Sequence, residues 1–176
     1  MADIKMIEIM PLGEIENSVL EYLKENLATI FGCQIFQAEA RTIPDRAFNL
    51  LRNQYQAEVI IQCLCRVKKP AGTLTLAVID NDLYVPGLNF VFGLADRLHN
   101  ICLISITRLR QSYYGLPADE NVFLKRALKE AVHELGHLFN LEHCPDPRCV
   151  MHFSNTLSDT DRKDSRFCRL CQKQLS

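Results

Sequence analysis

Tryptophan is absent from this chain of 176 residues, aromatic residues supply only 8%, and glycine and proline number seven each. No stretch is enriched into a low-complexity tract, an internal repeat or a flexible linker. Charge of one sign is also missing: the formal net charge is −1 and the pI lies near 6.5. That balance provides no broad positive field, which excludes nucleic acid as a first expectation for a partner. No apolar run approaches the roughly 20 residues a membrane span needs. The opening residues Met1 to Ile9 carry acids inside their apolar run and lack the basic start and long apolar stretch of a secretory signal. The expectation is a cytoplasmic protein that acts as a monomer, away from membranes and nucleic acid.

What is present is a hydrophobic fraction of 48%, enough to bury one substantial core in a chain too short for two ordinary domains. A single domain over 1–176 is expected. Eight cysteines in a chain expected to sit among reduced thiols point to metal rather than to disulfides. Cys33, Cys63, Cys65 and Cys102 stand singly in apolar stretches and read as small buried hydrophobes. Cys144, Cys149, Cys168 and Cys171 instead crowd into the last fifth of the chain.

Hydrophobic spacing predicts a strand over Lys5–Met10, a turn at Pro11 to Gly13 and an amphipathic helix over Glu14–Phe31 that Gly32 stops. A strand over Cys33–Ala40 precedes an irregular stretch around Pro44 and a helix over Tyr55–Val67, whose apolar residues recur at three-to-four spacing. Strands are expected at Thr73–Asp80 and Ile101–Thr107, with Asn89–Gly93 on a sheet edge. After the polar loop 111–117, Asp119 can cap a long helix over Glu120–Asn140. Strands alternating with helices imply an α/β (α+β) domain built on a mixed, mostly parallel sheet.

On that last helix His133-Glu134-Leu135-Gly136-His137 sets two imidazoles four residues apart, stacking them on one face within reach of one metal ion. His143 follows six residues later. On a continuous helix it would point roughly 240° away and lie about 9 Å further along the axis. The helix must therefore end between them, and Asn140 suits the left-handed conformation that closes a helix. Three neutral imidazoles leave a fourth position open for water, the mark of a catalytic rather than a structural zinc. Water bound there has its pKa lowered toward about 7. Glu134, beside the first ligand, can take its proton and pass it to a leaving amine.

Cys144 and Cys149 are separated by four residues and Cys168 and Cys171 by two, giving two ligand pairs of the kind that hold a structural zinc. Such a closed site would tie the polar tail to the loop leaving His143, and a tail too short for its own core needs that staple. Two zinc ions per chain are thus expected, one catalytic and one structural.

From His133 to Cys171 the sequence resembles the signature of the archaemetzincins: the long histidine motif, an immediately following cysteine, a second cysteine, a methionine, then a Cys-x-x-Cys pair. Met151 falls where this metzincin family places the methionine of its Met-turn, a tight loop packed beneath the catalytic metal. The chain departs from the pattern in having Asn140 for the glycine after the second histidine, and sixteen residues between Met151 and Cys168, one fewer than the family spacing. Neither change removes a ligand or the general base. The resemblance implies a compact metzincin fold, with a sheet and active-site helix over residues 1–143, a small zinc-stapled part over 144–176, and a cleft between. It also implies that Asn89–Gly93 binds an extended peptide by strand addition.

The reading that follows is a zinc-dependent peptidase acting on peptide or protein substrates. A binding or scaffolding protein that keeps the metal architecture without turnover is the alternative, and Glu134 argues against it because holding zinc does not require that residue. A zinc-knuckle nucleic-acid module built on the tail would need an aromatic stacking platform, which the tail lacks. Of the remaining candidates, His152 reads as a hydrogen-bonded structural histidine, His99 as a loop residue, and Tyr113 and Tyr114 as packing aromatics.

Overall fold

The computed structural model describes residues 6–175, so Lys5 of the first expected strand lies outside the described residues. The elements run β1 (Met6–Leu12), α1 (Asn17–Phe31), β2 (Gln34–Gln37), β3 (Phe48–Asn49), β4 (Gln54–Gln56), α2 (Ala57–Leu64), β5 (Thr73–Ile79), β6 (Leu83–Tyr84), β7 (Gly93–Asp96), β8 (Ile101–Ser105), α3 (Glu120–Leu138), α4 (Leu157–Arg162) and α5 (Arg169–Gln174). Five strands form the main sheet in the order β2-β1-β5-β8-β7. Every pairing in it is parallel except β7 with β8.

Parallel neighbours require crossover connections: α1 joins β1 to β2 and α2 lies between β2 and β5, whereas β5 reaches β8 through β6 and β7 without a helix. β5 is buried along its whole length because helices cover both faces of the sheet, which is why residues 76–79 run unbroken in aliphatic side chains. Its side chains still divide by the two-residue period of a strand. Leu74, Leu76 and Val78 join Ile7, Ile9 and Ile104 in a core with Leu20, Leu23 and Leu27 of α1 and Ala127, Ala131 and Leu135 of α3. Ala77 and Ile79 face the other way, onto Ala57, Ile60, Ile61 and Leu64 of α2.

Helix ends are set as the residues dictate. Gly32 takes φ +62° and its N–H reaches the Ala28 carbonyl, a left-handed closure that costs glycine little. The Asp119 carboxylate accepts a hydrogen bond from the Val122 N–H at 3.0 Å and starts α3.

Several expected boundaries move. Pro11 does not turn the chain: β1 runs through it to Leu12, paired residue for residue with β5. The helix expected from Tyr55 begins only at Ala57, because Tyr55 and Gln56 pair with Leu83 and Tyr84 in a small second sheet. The edge strand starts at Gly93, whereas Val91 bridges to Leu83 and the Phe92 carbonyl accepts from the Ser105 N–H.

The tail after His143 does not stand apart from the main core. Val150, Met151 and Phe167 belong to the same apolar cluster as α1 and α3. Arg126 of α3 grips Asp161 of α4 with two hydrogen bonds of 2.7 and 2.6 Å, and Lys129 donates to the carbonyls of Thr160 and Asp161. Among the described residues no helix is long and apolar enough to cross a membrane.

Candidate metal centre and its cleft

α3 presents His133, Glu134 and His137, and the chain then reverses as the spacing predicts. Asn140 adopts φ +64°, and the Leu141 N–H returns to the Gly136 carbonyl at 3.1 Å. This brings His143 back, so the ligand atoms of the three histidines lie within 4.8 Å of one another. His133 and His137 approach at 3.2 Å between their Nε2 atoms. A tetrahedral ion with bonds of about 2.0–2.1 Å to nitrogen needs an edge of about 3.3–3.4 Å, so this pair fits zinc without rearrangement.

Two backbone carbonyls fix which nitrogen faces inward. His133 Nδ1–H donates to the Val150 carbonyl at 2.8 Å, and His137 Nδ1–H donates to the Leu141 carbonyl at 2.8 Å. A carbonyl can only accept, so both Nε2 atoms carry free lone pairs toward the centre. Burial lowers the pKa of all three imidazoles, that of His133 most strongly. They are therefore neutral near pH 7, the protonation state that a ligand needs.

Beneath this centre Met151 is fully buried against Gly136, where a Cβ would collide with the Met151 sulfur and crowd Phe167. The middle of the motif is thus closed to any side chain larger than hydrogen. Glu134 is seated in the same way. A Cβ at Gly93 would come within 2.6 Å of the Glu134 Cγ and Oε1, so the backbone of β7 and the glutamate occupy adjoining space. Burial pushes the Glu134 carboxyl up to about 8, with Glu130 adding to the shift and Lys163 opposing it.

The cleft above encloses about 510 Å³. Residues 88–95 form one wall, α3 with its histidines the floor, and His143 with Phe153 and Asn155 the far side. Tyr113 and Tyr114 do not line it; both are exposed and meet each other edge to face. His152 is likewise structural: its Nδ1–H donates to the Cys144 carbonyl at 2.9 Å.

Sequence reasoning missed the support under this floor. Lys163 is completely buried, its Nζ 3.1 Å from Glu130 Oε1, and the Thr160 hydroxyl donates to the same oxygen. Lys163 also donates to the His152 carbonyl at 3.4 Å. Glu130 lies four residues before Glu134 on α3 and borders the cleft, a spacing that could have marked it. Nothing in the polar tail marks Lys163. Gly93 was singled out only as part of an edge segment, and its contact with Glu134 is non-local.

The four tail cysteines converge as expected, with ligand atoms within 4.8 Å of one another. The Sγ atoms of Cys144 and Cys168 lie 3.8 Å apart and those of Cys149 and Cys171 3.7 Å apart. A disulfide would need about 2.05 Å, whereas thiolates bonded to zinc at about 2.3 Å stand about 3.8 Å apart along a tetrahedral edge. Backbone N–H groups of Cys171 and Leu170 help hold Cys168 down to about 7, while burial and the neighbouring sulfurs push Cys171 far up. The remaining four cysteines only partly match expectation. Cys102 is fully buried, but Cys33, Cys63 and Cys65 are half-buried, and Cys63 Sγ accepts from the Arg46 guanidinium at 3.0 Å.

Gly93→Ala is expected to leave the fold intact and lower kcat by about 10²-fold, the scale of a 1 Å displacement of a reacting group. Steady-state kinetics beside a thermal unfolding curve will separate this outcome from simple destabilisation.

Comparison with known proteins places these features in context. The sequence pattern of peptidase family M54 matches residues 4–176. The chain is 41% identical over 176 residues to an archaemetzincin of Pyrococcus furiosus, an alignment covering 97% of this chain and 92% of that one. Its structure is similar to the crystal structure of an archaemetzincin from Archaeoglobus fulgidus complexed with malonate, with a TM-score of 0.82 at 36% identity, covering 96% and 99% of the two chains. It is also similar to a zinc-dependent peptidase from Methanocorpusculum labreanum, with a TM-score of 0.87 at 29% identity, covering 97% and 100%.

Proposed function

This chain belongs to peptidase family M54 and is a zinc metallopeptidase of archaemetzincin type, and from that premise we propose that Glu134 is the general base of peptide-bond hydrolysis at a centre held by His133, His137 and His143. The observation carrying the proposal is the seating of Glu134 one residue from the first imidazole, on the cleft floor and against the bare backbone of Gly93.

His133, His137 and His143 would hold a zinc ion, which would supply Lewis acidity toward the scissile carbonyl and toward water. The carboxylate of Glu134 takes a proton from the attacking water and delivers it to the leaving amine nitrogen. Its ionisation, disfavoured by burial, is favoured by a dication on the adjacent ring nitrogens. β7 is the outermost strand of the main sheet and borders the cleft, so an extended substrate can add alongside it. Phe90, Phe92 and Phe153 give the cleft apolar walls, which suit an apolar substrate side chain and exclude water from the reacting bond.

Cys144, Cys149, Cys168 and Cys171 would hold a second, structural zinc. Four thiolates would close its shell to substrate, and these cysteines would then tie the loop carrying His143 to the start of α5. None of the eight cysteines is in a disulfide, the state that a reducing, cytoplasmic location would maintain. On this reading residues 1–143 carry the sheet and catalytic helix, and 144–176 form a stapled cap on the same core.

The test is to incubate the zinc-loaded protein, the chelated protein, the reloaded protein and Glu134→Gln with a diverse peptide mixture and to identify new termini by mass spectrometry. New termini are expected only from the loaded and reloaded wild type. Cleavage that persists unchanged in Glu134→Gln would remove that residue from its role, and absence of cleavage by every form would favour the binding or scaffolding alternative.

A further inference from the structure

Away from both zinc candidates, a third group of donors converges at the other end of the edge strand. Cys65 closes α2 as its C-terminal cap. Asp96 ends β7, and His99 lies in the tight connection to β8. Their ligand atoms lie within 4.8 Å of one another, although Cys65 is more than thirty residues away along the chain.

The Asp96–His99 half of the group is already in place. Asp96 Oδ1 accepts from the backbone N–H groups of Leu98 at 3.0 Å and His99 at 3.3 Å. This pins the carboxylate, while its Oδ2 faces His99 Nδ1 at 2.7 Å. Asn100, at φ +55°, completes the reversal. Lys69 holds the turn from behind, its Nζ donating to the carbonyls of His99 at 2.7 Å and Asn100 at 2.9 Å. His99 is exposed and Cys65 half-buried, so an ion has a route from solvent.

We propose that Cys65, Asp96 and His99 form a further binding site for a divalent cation of zinc type, separate from the catalytic and tail centres. One thiolate, one imidazole and one carboxylate make a donor set of borderline softness, which favours zinc over magnesium or calcium. The ammonium of Lys69 opposes a cation there, but two anionic ligands outnumber it. Tetrahedral edges for such ligands are about 3.3–3.8 Å, so rotation of the Cys65 and His99 side chains closes the group. On binding, the sulfur–metal bond replaces the S–H bond and the thiol proton passes to solvent.

The bound ion would tie the end of α2 to the β7–β8 turn. Arg97, beside Asp96, donates to the Leu141 carbonyl at 3.2 Å and pairs with Glu142 at 2.7 Å. The turn is therefore joined through one side chain to the loop between His137 and His143.

The test is a zinc titration of the full chain, wild type against Cys65→Ser and His99→Ala, read by native mass spectrometry and by competition with a chromophoric chelator. The wild type is expected to take up one more zinc than either variant. Affinity for that last equivalent should fall by at least about tenfold, the lower end of what losing even an outer partner of a metal site costs. Equal zinc counts and superimposable competition curves in all three proteins overturn the site. A lower total in the wild type, with Cys65→Ser still removing one equivalent, upholds this site and places the fault with the histidine or four-cysteine assignment.

Discussion

Glu134→Gln is expected to lower kcat for peptide hydrolysis by about 10²–10⁴-fold, the usual contribution of a positioned general base. At about 1.4 kcal/mol per tenfold, this is about 3–5 kcal/mol of transition-state stabilisation. The amide has nearly the shape of the carboxyl, so it fits the space between α3 and Gly93 that leaves no room for a Cβ at position 93. It cannot accept the proton from water. Because both backbone hydrogen bonds that aim the imidazoles, His133 to Val150 and His137 to Leu141, are untouched, zinc content and KM should stay near those of the wild type. A fall in kcat with constant KM identifies an interaction made in the transition state. Retention of kcat within a few-fold would sink the assignment.

Lys163→Met should destabilise the zinc-saturated protein by about 3–5 kcal/mol, the cost of removing one partner of a buried ion pair. Lys163 has no exposed side-chain surface and Glu130 almost none, so methionine would strand a nearly buried carboxylate without its cation. The double variant Lys163→Met/Glu130→Gln should recover most of that loss, since replacing both charges removes the unpaired one. Denaturant midpoints of the four proteins in a double-mutant cycle measure the coupling. A single variant within about 1 kcal/mol of wild type, no more than an exposed pair contributes, would show that water reaches the site.

The two candidate metal sites were legible because their spacing is local. The four-residue step from His133 to His137 fixes their shared helix face, and the reversal at Asn140 follows from the requirement that His143 return. The sheet was legible in type, since aliphatic runs such as Thr73–Ile79 alternate with amphipathic helices. The small sheet of β3, β4 and β6 was not. Its strands are two or three residues long, and the apolar spacing of Tyr55 with Val59 suits a helix equally well. Lys163 was illegible for another reason: a lysine among Asp161, Arg162 and Asp164 looks like solvated surface until α4 folds it under α3. Cys65 is half-buried rather than buried, and an apolar neighbourhood in sequence says nothing of Asp96 and His99 lying beside it.

The carbonyl that aims His133 belongs to Val150, and the methionine beneath the motif is Met151. Both follow the motif in the chain, as do Lys163, Cys168 and Cys171. A ribosome making this protein therefore releases all three histidines before it releases the groups that orient and brace them, and a domain folds only once its parts are available. The carbonyl that aims His133 is in place only once the chain has been made through Val150 and has folded back onto α3. A nascent chain therefore carries the histidine motif for a time without the groups that aim it, with the order of the sequence serving as a delay.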